Sequence, residues 1–123
     1  MTDTLIGKKI LVVEDDDLVA SAVEDVLLFA QAESVHIAGS VRTALAALSE
    51  LHFDVALVDV NLRGEASWPV AQELHRRAVP YLTVTGYGDM LDHELVFQML
   101  AKPYSMAALL KAVSELLADP ASS

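Results

Sequence analysis

Cysteine is absent from the 123-residue chain, which excludes disulfides and thiolate metal sites and fits a reducing cytoplasm. Basic side chains are scarce: eight Lys and Arg stand against eighteen Asp and Glu, for a formal net charge of -10. Such a field repels nucleic-acid phosphates unless a local basic patch overrides it. Only Lys8-Lys9 and Arg76-Arg77 are basic neighbours, so direct nucleic-acid binding is not expected. No segment reaches the ~18 uninterrupted apolar residues of a membrane span, and Met1 to Gly7 lacks the basic-then-apolar pattern of a signal peptide. Repeats, low-complexity tracts and interdomain linkers are also missing. The expectation is one cytoplasmic domain over residues 1–123, with its core at about 8–118, a frayed end and no output domain.

Five short apolar or β-branched runs are present: Ile10 to Val13, Val35 to Ala38, Val55 to Val58, Tyr81 to Val84 and Val96 to Leu100. Apolar at successive positions, they read as strands buried on both faces. Between them, apolar residues recur with helical period at Val19, Val23, Val26, Leu27 and Ala30, at Val41, Ala44, Leu45, Leu48 and Leu51, and at Val70, Ala71, Leu74 and Ala78. A last stripe, Met106, Leu109, Leu110, Val113, Leu116 and Leu117, ends before Pro120. Gly86 to Glu94 has little apolar periodicity, which predicts a short, irregular or missing fourth helix. Alternation of strand and helix implies right-handed crossovers and a doubly wound α/β domain.

In an open parallel sheet, ligands sit beyond the carboxyl ends of the strands, where the winding reverses. Glu14-Asp15, Asp59, Thr85 and Lys102-Pro103 fall at such ends. Together they supply carboxylates, one hydroxyl and one ammonium, an inventory suited to a hard divalent cation and a phosphoryl group. Taken singly, each signal is weak. An Asp at a strand end is more often solvated or capping, and Asp17 is the expected N-cap of the first helix. Their joint occurrence at the ends of four strands changes the balance.

The segments Ile-Leu-Val-Val-Glu-Asp-Asp at 10–16, Asp-Val-Ala-Leu-Val-Asp-Val-Asn-Leu at 54–62, Val-Thr-Gly at 84–86 and Leu-Ala-Lys-Pro-Tyr at 100–104 resemble those of response-regulator receiver domains. The resemblance covers almost the whole chain. It implies a flavodoxin-like five-stranded parallel sheet of order 2-1-3-4-5. It also implies Asp59 as phosphoacceptor, Mg²⁺ held by Asp15, Asp59, the Asn61 carbonyl and, through water, Glu14, and Thr85, Gly86 and Lys102 as the phosphate-binding and switch residues. A cis bond before Pro103, usual in the family, would aim Lys102 inward.

Two departures bear on mechanism. Where the family commonly has an aromatic switch residue, three positions before the lysine, this chain has Met99; the nearest aromatic, Phe97, lies two positions earlier. This argues against an ordinary Thr-Tyr switch and turns attention to Tyr87, which with Asn61 is a candidate for controlling water access to the acyl phosphate. The run Pro80 to Tyr87 is similar to the Pro-Phe-x-Phe-Ala-Thr-Gly-Tyr signature of a stand-alone receiver subgroup that tends to work with HWE or related histidine kinases.

The resemblance implies a phosphoacceptor signalling protein that catalyses only its own phosphorylation and dephosphorylation. It would act as a switch, a phosphorelay intermediate or a phosphate sink. Its partners would be a sensor histidine kinase docking on Leu18 to Phe29, and a downstream protein or phosphotransfer protein. Homodimerisation is compatible with this reading but not implied. The alternatives are a phosphorylation-independent protein-binding module, an aspartyl phosphatase and a flavin carrier. Asn61, standing where a phosphatase wants a general-acid Asp, and the lack of a hydroxyl-rich loop after the first strand weigh against the last two.

Overall fold

The described parts of the five apolar runs all lie in one sheet, but not all of them are buried. The structure, a computed structural model, describes residues 5–85, 99–102 and 104–118. Its elements are β1 (Lys9–Val13), α1 (Asp17–Phe29), β2 (Ser34–Ala38), α2 (Val41–Glu50), β3 (Val55–Asp59), β4 (Asn61–Leu62), β5 (Glu65–Ala66), α3 (Trp68–Arg76), β6 (Tyr81–Thr85), β7 (Met99–Ala101) and α4 (Met106–Ala118). Five strands pair in parallel in the order β2-β1-β3-β6-β7. With the small β4-β5 hairpin set aside, this is the expected 2-1-3-4-5 order of a flavodoxin-like sheet.

Every residue of β3 and β6 is buried, because both have strand neighbours on each side and helices on both faces. The outer strands depart from the expectation of full burial. On β2, Ser34, His36 and Ile37 are exposed, and on β7 Met99 and Ala101 are exposed. Among the described residues each has a single strand neighbour, so the sheet shelters it from one side only. The fifth strand also ends one residue later than expected, at Ala101.

The sheet separates two cores. Leu11, Val13, Ala56 and Val58 face Ala44, Leu48, Val70 and Leu74 of α2 and α3. Their alternates Ile10, Val12, Val55 and Leu57 face Val23, Leu27, Leu109, Val113 and Leu116 of α1 and α4. This is the period-2 alternation of a strand meeting the stripe of a helix on each side. Each fully buried Leu or Val contributes about 1.5–3 kcal/mol relative to exposure.

Two helix ends differ from the sequence reading. Asp16, not Asp17, is the N-cap of α1: its backbone is still extended, and its carboxylate accepts the N–H groups of Leu18 at 2.9 Å and Val19 at 3.3 Å. The chain therefore turns one residue earlier, placing Asp17 in the first helical turn, where its charge suits the helix dipole. Helix α3 ends at Arg76, and Ala78 lies beyond it with φ 59°, so it is not part of the helical stripe. The expected irregular fourth helix, over 86–94, lies outside the described residues.

Candidate functional site

Parallel pairing brings the strand ends to one edge. Val13 of β1 is in register with Val58 of β3, so the chain leaves β1 through Glu14 and Asp15 next to Asp59, the last residue of β3. Carboxylate oxygens of Glu14, Asp15 and Asp59 lie within 4.8 Å of one another. Glu14 and Asp59 are about 95% buried, with relative exposures of 5% and 4%. Lys102, just past β7, donates from Nζ to Asp59 Oδ2 at 2.6 Å and stands 3.8 Å from Glu14 Oε1. Its backbone N–H donates to the Thr85 carbonyl at 2.7 Å, which ties the lysine to the end of β6. Thr85 itself is buried.

Backbone donors fix two of the carboxylates. The Asn61 N–H donates to Asp59 Oδ1 at 3.0 Å, and the Asp16 N–H donates to Glu14 Oε2 at 3.1 Å. The Asn61 side chain is engaged elsewhere: its Oδ1 accepts the Gly64 N–H at 2.7 Å. Met99 is exposed on the edge strand, in register with Thr83. Gly86, Tyr87, Phe97 and Pro103, and with them the expected cis bond, lie outside the described residues.

The clustering has an electrostatic cost. Burial, helped by the neighbouring Asp59 charge, pushes the Glu14 carboxyl up to about 7, against the lowering effect of the Asp16 N–H and Lys102. Burial pulls the Lys102 ammonium down, but its hydrogen bond to Asp59 and the charges of Asp59 and Glu14 outweigh this and leave it raised. Burial, then the Glu14 charge, raises the Tyr104 phenol. A void of about 10 Å³ adjoins Glu14, Asp59 and Tyr104 and is otherwise lined by the apolar Val12, Val13, Val23, Leu57 and Val84.

Because the folded-state value for Glu14 lies above the ordinary 4.5, its contribution to stability is fully present below pH 4.5 and is lost as pH rises through about 7. At about 1.4 kcal/mol per tenfold change in proton affinity, the penalty at alkaline pH is about 3 kcal/mol. Glu14→Gln is therefore expected to stabilise the metal-free protein at pH above about 7 by about 2–3 kcal/mol, and to flatten the fall in stability between the two values. Urea titrations in chelator across this range check it.

Two residues the sequence reading passed over shape the site. Ser67, 1% exposed, donates its hydroxyl to the Asp59 carbonyl at 2.5 Å and lies 3.2 Å from the Val60 carbonyl, which also accepts the Ser67 N–H at 2.9 Å. Its place just before Trp68-Pro69 at a helix start was the available signal, but the side chain reaches back to β3 rather than capping α3. Ser67→Ala is expected to cost about 1–2 kcal/mol, since the Asp59 carbonyl loses a buried donor; denaturant midpoints measure this. Arg63, at the tip of the β4-β5 hairpin, extends to Asp15: Nε is 3.5 Å from Oδ2, and a terminal guanidinium nitrogen donates to the Asp15 carbonyl at 3.1 Å.

Three carboxylates stand against one partly buried ammonium and the exposed Arg63 guanidinium, which leaves the pocket rich in anionic oxygen. The donors are all oxygen, with neither thiolate nor imidazole among them. That set fits a hard divalent cation of the Mg²⁺ kind, which takes one or two carboxylates and keeps its waters. Among the described residues no helix is long and apolar enough to cross a membrane.

The family model of the response regulator receiver domain matches residues 10–114. No curated protein matches the chain. Among solved structures, SdrG from Sphingomonas melonis Fr1 is 38% identical with a TM-score of 0.79, over 90% of this chain and 97% of its own. A CheY-like response regulator receiver domain protein from Methanospirillum hungatei JF-1 is 25% identical with a TM-score of 0.81, over 90% and 94% of the two chains. Receiver domains are signalling domains that generally bind Mg²⁺ through an acidic pocket and generally receive phosphoryl groups from histidine kinases or phosphotransfer proteins. With its sheet order, its acidic strand-end cluster and a family match spanning most of its length, this chain belongs to the response-regulator receiver domain family.

Proposed function

We propose that the domain accepts a phosphoryl group on Asp59, in a Mg²⁺-dependent reaction, from a histidine kinase or phosphotransfer protein. The observation that carries this reading is the Lys102 ammonium 2.6 Å from Asp59, with Glu14 and Asp15 grouped around the same carboxylate. An Asp59 carboxylate oxygen attacks phosphorus of a phosphohistidine donor. The O–P bond forms as the P–N bond breaks, and the electron pair leaves on the imidazole nitrogen, which takes up a proton. Lys102 follows the charge, passing from the carboxylate to the phosphoryl oxygens. The Asn61 N–H holds Oδ1 in place, and the Ser67 hydroxyl holds the carbonyl of the same residue.

Glu14, Asp15, Asp59 and the Asn61 carbonyl would hold Mg²⁺. Bound there, the ion supplies positive charge that lets an anionic donor approach three carboxylates. The Thr85 hydroxyl and the Gly86 N–H would hydrogen-bond the transferred group, and Tyr87, rather than a strand aromatic, would report it. Hydrolysis reverses the gain: water attacks phosphorus and releases phosphate and the free carboxylate.

Helix α1 is the proposed docking face for the phosphodonor. Leu18 and Phe29, at its two ends, are 83% and 88% exposed, which supports an apolar contact surface there. The similarity of Pro80 to Tyr87 to the stand-alone subgroup signature favours a kinase of the HWE or a related class, with the domain acting alone as switch, relay intermediate or sink.

Incubation with acetyl phosphate, with and without Mg²⁺, followed by intact mass tests the chemistry. A Mg²⁺-dependent adduct is expected, and its decay separates a persistent switch from a rapidly draining sink. No adduct from this donor or from a kinase would favour a phosphorylation-independent binding module.

A further inference from the structure

The strands β4 and β5 pair Asn61 with Ala66 and Leu62 with Glu65, leaving a two-residue tip of Arg63 and Gly64. Both tip residues have positive φ, 53° and 87°, as the tightest hairpin turns require. Glycine meets that requirement freely, whereas a side chain with a Cβ meets it at a cost of about 1–2 kcal/mol. An arginine is thus held where the backbone disfavours it, and its guanidinium spans the Asp15 carbonyl and carboxylate. Asn61 closes the turn by accepting the Gly64 N–H, and Ser67 anchors the following chain on Asp59. The tip is therefore fixed at both ends, with its charge directed at the one clustered carboxylate that Lys102 does not reach within ion-pair distance.

We propose that Arg63 is a tethered counter-ion of the metal site. It neutralises Asp15 while no cation is bound and competes with Mg²⁺ for that carboxylate, so the hairpin tip sets the Mg²⁺ concentration at which the pocket fills. This rests on the metal-site reading above. Arg63 acts through Asp15 and is a positioning residue. Its side chain is 76% exposed, so the competition is modest and screened by salt.

Calorimetric titration of the full chain with Mg²⁺ alone, at low and high ionic strength, tests the proposal. Arg63→Ala is expected to bind Mg²⁺ about 2- to 5-fold more tightly than wild type at low salt, with the difference shrinking at high salt. Arg63→Gly, which suits the turn backbone better, serves as a second variant should the first fold poorly. The Arg63 Nε–H resonance of the wild type should move with the same midpoint as the calorimetric isotherm. Equal or weaker Mg²⁺ binding by the variants, beside normal binding by wild type, would overturn the role of Arg63 and leave the metal site standing. Absence of Mg²⁺ binding by all three proteins would overturn both readings.

Discussion

Asp59→Asn will take up no phosphoryl group under conditions that load the wild type fully, as intact mass will show. The amide lacks the anionic oxygen that attacks phosphorus, and no neighbouring carboxylate shares the geometry of Asp59. Among the described residues, Asp59 accepts the Asn61 N–H on one oxygen and the Lys102 ammonium on the other at 2.6 Å, whereas Glu14 has the same ammonium only at 3.8 Å. The loss should be chemical rather than structural. The Asn oxygen can still accept the Asn61 N–H, and removing one negative charge relieves Glu14, whose carboxyl is raised in part by Asp59. Opposing this, Lys102 loses its short partner. The two effects offset each other, and a stability within about 1 kcal/mol of wild type is expected. A wild-type-sized adduct on the variant would place the acceptor elsewhere.

Lys102→Met will slow phosphorylation by about 10²- to 10³-fold, the usual consequence of removing one preorganised charge from a developing anion. It will also destabilise the metal-free protein by about 1–3 kcal/mol at neutral pH, because Asp59 and Glu14 remain buried without their shared cation. Methionine retains most of the aliphatic stem, so the packing loss is small, and the 34% exposure of the lysine side chain keeps the figure below that of a fully buried pair. The pH dependence separates the contributions. Lys102 is raised above its ordinary 10.5, so its stabilisation is fully present below that value and is lost only as pH rises through the higher folded-state value. The Glu14 contribution, by contrast, changes between 4.5 and about 7, well below the range in which Lys102 loses its proton. Stopped-flow phosphorylation with acetyl phosphate and denaturation at two pH values measure both effects.

The strand ends were legible because they are where apolar runs stop and polar residues begin, and a parallel sheet brings those points together. Glu14, Asp59, Thr85 and Lys102 all became visible this way, and the resemblance to receiver domains named the same positions. The local turns were harder to read. Asp16 and Asp17 are chemically equal as caps, and only the point at which the backbone leaves the extended region selects Asp16. Arg63 carries no sequence mark of its positive φ, since the usual Asn-Gly or Asp-Gly tip is replaced by Arg-Gly. Ser67 resembles a cap by position, yet its hydroxyl is drawn to the Asp59 carbonyl. Burial of β2 was over-read for a different reason: composition does not tell an edge strand from a central one.

The Ser67 bond has a consequence for how this region can change. Because the chain that leaves β3 at Val60 is fastened again at Ser67, immediately before α3 begins, the six intervening residues, 61–66, form a side branch whose length is uncoupled from the helix that follows. Extra residues at its tip would lengthen the branch without displacing α3. The tip therefore offers a natural graft point for a fluorescent or affinity tag, close enough to the pocket to respond to what binds there.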